Sequence, residues 1–319
     1  VAKQETPLPD EWERSVAALP AAEQVEALIA RLKDLNPGFD GQVLPTIEGG
    51  VVTGLEFSTL QVSDISPVHV FTNLRHLRCC AGGGKTGKLL DLSPLRGLSL
   101  THLFLGDNPV RDLSPLEGMK LVTLHCPSTN VADLSPLQGM PLEKLDCGFT
   151  RVADLSPLRG MKLREADFQV TRVADLSPLQ GMPLRALVCH GLRVPDLSPL
   201  KGMPLEFLNC NACALVSDLS ALTGMPLYQL GVTGTNVTDL TPLKGMITLK
   251  RVGLANTGRL TDLSPLMGMQ LEHIVLTPKN ISQGLDILRD MKSLETIVSK
   301  QAWPAAEFWE RYDEGEFND

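Results

Sequence analysis

Between Asp91 and Asp262 the chain repeats Asp-Leu-Ser-Pro-Leu, starting at Asp91, Asp112, Asp133, Asp154, Asp175, Asp196 and Asp262. From Asp91 to Asp196 every step is 21 residues. Variants start at Asp64, Asp218 and Asp239, and a decayed copy occupies 284–288. This short fixed period constrains the fold more than any other feature. One unit cannot bury its own apolar side, so the units must stack on one another.

The local pattern indicates what each unit forms. Leu121-x-x-Leu124-x-Cys126 recurs as Leu142-x-x-Leu145-x-Cys147 and Leu184-x-x-Leu187-x-Cys189. Its last two apolar positions alternate as in a half-buried strand. A small polar residue follows three positions later, at Asn108, Thr129, Thr150, Thr171, Thr235 and Thr257. In Ser-Pro, serine is expected to cap a helical turn and proline to take its first position. Glycine three residues after proline suits a left-handed stop, which leaves room only for a 3₁₀ turn. The aspartate that opens the motif is expected to close an Asx turn onto the backbone two residues ahead.

The full pattern, L-x-x-L-x-L-x-x-(N/T)-x-V-x-D-L-S-P-L, resembles a leucine-rich repeat of the short, internalin-like bacterial subclass. The resemblance implies an α/β repeat fold: a right-handed solenoid with a parallel sheet on its concave face and 3₁₀ turns on its convex face. One departure is that the family's asparagine ladder survives only at Asn108. Threonine replaces it in most copies, and Leu192 and Cys213 interrupt the column. The expected organisation is a tail and helical cap over 1–50, repeats over 51–299, and a C-terminal cap and tail over 300–319. Trp12, Val16 and Leu19, then Val25, Leu28, Ile29 and Leu32 beyond Pro20, have the helical spacing a terminal cap needs. Asp40-Gly41 and Gly49-Gly50 suggest a hairpin before a first repeat strand at 52–57, and 301–312 reads as a helix starting at Pro304. The wording at both ends also resembles planctomycete leucine-rich-repeat proteins, some of them kinase-linked. That implies a sensor or scaffold region in the cell envelope; without it the expected compartment is cytoplasmic. The first residue is Val rather than Met, so a processed or excised chain is expected.

Composition removes several function classes. A net charge of −8 and a pI near 5.3 argue against a grip on nucleic-acid phosphates. No apolar run reaches the roughly eighteen residues of a membrane-spanning helix. Residues 81–88 hold an insertion containing Gly84-Lys85-Thr86, but Cys79 stands where a phosphate-binding loop needs glycine, and no long helix follows. No cofactor motif is present. Of the seven cysteines, Cys79, Cys126, Cys147, Cys189 and Cys210 take the inward strand position and are expected to act as small hydrophobes.

Function should then rest on outward-facing residues that vary between copies. These are His76, Arg78, His102, Phe104, His125, Lys144, Asp146, Phe149, Glu165, Asp167, His190, Phe207, Asn209, Asn211, Gln229 and Arg251. Aromatic anchors in a polar field suggest a protein or peptide ligand. Consecutive strands carry His76, His102 and His125, but no carboxylate stands at a matching position on them. A pH-sensitive face is therefore a simpler reading than a metal site. The expectation is a noncatalytic, monomeric recognition module. The alternatives are a self-associating structural module and a hydrolytic enzyme using His125 and Asp146.

Overall fold

The computed structural model describes residues 11–317. The chain divides into two compact units, 1–161 and 162–319. In the first, α1 (Glu11–Ala17) and α2 (Ala21–Leu35) precede β1 (Val43–Glu48) and β2 (Val51–Ser58). Then come β3 (His76–Cys80), β4 (His102–Phe104), β5 (Thr123–His125) and β6 (Lys144–Asp146). β1 and β2 form an antiparallel hairpin, and β2 to β6 pair in parallel, each with the next. The hairpin turn is Gly49-Gly50, at φ 56° and 80°, which matches the twist of the strands it joins.

The second unit runs through β7 (Glu165–Asp167), β8 (Ala186–Val188), β9 (Phe207–Asn209), β10 (Gln229–Gly231), β11 (Arg251–Gly253) and β12 (His273–Val275). It closes with α3 (Leu285–Arg289), β13 (Thr296–Val298), β14 (Ala302–Pro304) and α4 (Ala305–Asp313). β7 to β13 are parallel in sequence order, while β14 is antiparallel to β13. The sequence pattern places the helix start at Pro304 and gives no strand before it, so β14 is an addition. Proline does sit at the helix entrance, but Trp303 pairs with Ile297 as a strand residue. The N-terminal tail expected before the first helix lies outside the described residues.

Within each repeat the turn is built as expected, except for its cap. In the repeat of Asp112 the 3₁₀ turn covers Ser114–Leu116, and serine makes no capping bond of its own. The aspartate does that work: Asp112 Oδ1 accepts from Ser114 N–H at 2.8 Å and Oδ2 from Ser114 Oγ at 2.9 Å. A carboxylate two residues upstream can accept from both groups, whereas serine at the first helical position is too far along to reach the free amides. The same bonds from Ser156 hold Asp154 below the usual carboxylate range. Gly118, at φ 78°, ends the turn.

The polar column closes each turn on itself. Thr129 Oγ1 donates to Cys126 O at 2.8 Å, Thr150 Oγ1 to Cys147 O at 2.6 Å and Thr235 Oγ1 to Val232 O at 2.6 Å. Asn108, with a longer side chain, donates both to Leu105 O at 2.9 Å and to Cys79 O in the preceding repeat at 2.8 Å. Cys213 makes a similar reach, its thiol 3.0 Å from Cys189 O. The inward cysteines are fully buried, and burial pushes the Cys126 thiol up to about 12, so they act as apolar filler.

Both ends are tied down. Asn36, 2% exposed, ends α2 and clamps it to the first repeat. Its amide donates to Leu32 O and Asp64 O, and its Oδ1 accepts from the Ser63 and Asp64 N–H groups. At the other end Phe308 of α4 is fully buried and stacks on Phe317 at 4.7 Å.

Candidate functional site

Parallel pairing in register sorts the outward side chains of the first unit into rows. One row is Glu56, Arg78, Phe104, His125 and Asp146, each opposite the next on β2 to β6. A second is His76, His102, Thr123 and Lys144. Strand neighbours lie about 4.8 Å apart, so successive members of a row stand within reach of one another.

The first row is interlocked from end to end. Arg78 Nε is 3.2 Å from Glu56 Oε1, and the same guanidinium lies 5.6 Å from the centre of the Phe104 ring. On its other side Phe104 meets the His125 ring at 5.7 Å. His125 Nε2 is 2.7 Å from Asp146 Oδ2, and Asp146 Oδ1 accepts from Gly148 N–H at 2.9 Å. The exposed Arg78–Glu56 pair contributes about 0–1 kcal/mol to stability. The larger effect of these contacts is to hold the ring and its flanking charges in one arrangement, so that less side-chain entropy is lost on binding.

In the second row the His76 and His102 rings stack at 4.4 Å. Burial, and then the neighbouring His76, lower the His102 pKa from its ordinary value. A lowered imidazole stays neutral as pH falls through the range where a free histidine, near about 6.5, would charge. NMR titration of the His102 ring should therefore give a midpoint below that of a free imidazole. His76→Ala should raise it, since one of the two causes is gone. A midpoint unmoved by His76→Ala would show that the stacked pair is absent in solution.

The sequence pattern singled out His76, Arg78, His102, Phe104, His125, Lys144 and Asp146, and the structure brings them together in these two rows. It missed Glu56, the counter-ion of Arg78. Its signal was available: Glu56 falls between buried Leu55 and Phe57, in the same outward column as Arg78. Phe149 is displaced from the expected face. It lies beyond β6 in a left-handed turn at φ 56°, with 51% of its surface exposed.

Glu165 and Phe207 stand in one row with Gln229 and Arg251, on β7, β9, β10 and β11. The row of Asp167 and Asn209 continues into Gly231, Gly253 and Val275 and so loses its charge. His190 and Asn211 follow β8 and β9 in the turns. Several of these residues have a structural role that the sequence did not reveal. Asp167 accepts from the Gln169 N–H and side-chain amide, Asn209 from Asn211 N–H, and Asn211 from Thr233 N–H. Among the described residues no group of three or more His, Cys, Asp or Glu is placed to hold a metal ion, and no helix is long and apolar enough to cross a membrane.

No family model matches the sequence, and no curated protein matches it. Among solved structures the chain is similar to an internalin (inlF) from Listeria monocytogenes, at 22% identity and a TM-score of 0.67. That match covers 89% of this chain and 93% of the internalin. It is also similar to internalin C2 from the same organism, at 20% identity over 81% of this chain and 98% of that one, with a TM-score of 0.40. The first likeness, with the repeated strand and 3₁₀ turn, shows a leucine-rich-repeat solenoid; the second carries no argument.

Proposed function

We propose that this leucine-rich-repeat solenoid is a noncatalytic recognition module that binds a protein or peptide on the sheet face of its first unit. The observation that carries the reading is the row from Glu56 to Asp146, in which an aromatic anchor is held between a guanidinium and an imidazole. Binding hot spots commonly centre on such a ring and on arginine. His125 and Asp146 form a pair that could move a proton, and in this reading the pair serves to hold the row that carries Phe104. A sensor or scaffold role within a larger chain is part of the reading and is supported by the sequence resemblance alone.

The test is crosslinked capture from the source organism's lysate and envelope fraction, comparing the parent with Phe104→Ala. The residue is only half-buried, so circular dichroism should show an unchanged fold. A partner held by the parent should be held at least about tenfold more weakly by the variant. Equal capture by both, or no capture by the parent, overturns the reading.

A further inference from the structure

The column after Ser-Pro-Leu is polar in repeat after repeat, at Arg96, Glu117, Gln138, Arg159, Gln180 and Lys201, and Lys244 continues it after Thr-Pro-Leu. Thr223 fills it after Ser-Ala-Leu, and Met267 then breaks it. Met267 is 68% exposed, and Ile247, one repeat earlier, is 71% exposed; no other large apolar residue among those described is as open. In the repeat pattern Ile247 is the counterpart of Gln270, since each follows a buried methionine, Met246 and Met269.

Beside Met267 lies an open groove of about 750 Å³. Its origin is a mismatch of turns. Regular repeats lay one 3₁₀ turn on another, but the last repeat replaces its turn with α3. Gly284 allows this change, because a Cβ there would lie 2.8 Å from Ser264 N. A helical turn is wider than a 3₁₀ turn and does not tile onto it. Met267, Ile287 and Met291 line the resulting space, with the carboxylates of Asp286 and Asp290 one helical turn apart.

The geometry points to a second docking site here, one that takes a short basic segment of a partner protein through apolar anchors. Methionine suits such a floor because its flexible thioether adapts to varied anchors. The charge around it selects the partner. Arg289 lies between the two aspartates in sequence but turns to the C-terminal cap, 2.5 Å from Asp313 and over the Trp309 ring at 4.9 Å. Among the described residues, Lys292 is the one cation lining the groove. A second copy of the chain would bring a like acidic lip and a net charge of −8, so the occupant is a different, basic chain.

The test selects a displayed random-peptide library on the full chain and counter-selects on Met267→Lys. Lysine occupies the same column at Lys201 and Lys244, so this variant keeps the fold. Recovered peptides should pair apolar anchors with lysine or arginine. A synthetic copy of the most enriched one, followed by fluorescence anisotropy, should weaken about tenfold or more on Met267→Lys. It should weaken likewise on Asp286→Asn with Asp290→Asn. Phe104→Ala should leave it unchanged, which separates this site from the sheet face. An absence of enrichment, acidic peptides, or affinity indifferent to Met267→Lys would overturn the assignment.

Discussion

Replacing Phe168 with alanine should cost about 3–5 kcal/mol of unfolding free energy, read from the urea midpoint. Most repeats place leucine and then a smaller residue at the two inward strand positions, as in Leu145 with Cys147 and Leu187 with Cys189. The β7 repeat reverses the order, with Ala166 at 4% exposure and Phe168 fully buried. The ring fills the space that alanine leaves, so truncating it leaves two small residues and a cavity. Ala166→Leu alone should overpack the site and cost about 1–3 kcal/mol. The double variant Ala166→Leu, Phe168→Cys restores the usual order and should be more stable than either Phe168→Cys or Ala166→Leu. Simple additivity would show that the two positions do not share space.

Gly87→Ala should be the most damaging small change in the inserted segment, at about 2–4 kcal/mol. The segment leaves the repeat after Ala81 and returns where Gly87 N–H donates to Asp107 O at 2.7 Å and Lys88 N–H to Thr59 O at 2.9 Å. A Cβ on Gly87 would land on Asn108 Oδ1, 2.8 Å from Thr59 Oγ1 and 3.1 Å from Ala81 Cβ. Asn108 cannot yield without loosening its bonds to Cys79 and Leu105 and shifting an Oδ1 that is already buried without a partner. Lys85→Ala, at an exposed position of the same segment, should stay within about 0.5 kcal/mol of the parent. Equal midpoints for the two variants would mean that the segment does not close against Asn108.

The period made the architecture legible, because a motif copied many times averages out local ambiguity. Its inward and outward columns followed from strand alternation alone. What the pattern concealed depended on contacts between repeats. The link from Glu56 to Arg78 begins in the first repeat, where the motif is least regular. Asp146, Asp167 and Asn209 look like pure ligands in a column of variable residues, yet each also bonds to backbone at the exit of its strand. Met267 breaks a polar column, but only the groove beside it gives that break a meaning.

The threonine column has a consequence for how such a chain changes over generations. Each of these threonines bonds within its own turn, whereas Asn108 and Cys213 reach back to the repeat before. In a stretch such as 133–153 the column's own side-chain bond, Thr150 to Cys147 O, thus begins and ends inside the copy, while Asp146 still reaches back to His125. Recombination that drops or duplicates one copy would leave no carbonyl of the column orphaned at the seam. As far as this column is concerned, the span from Asp112 to Asp175 can lengthen or shorten in whole repeats, while Asn108 and Cys213 resist a cut at their own seams.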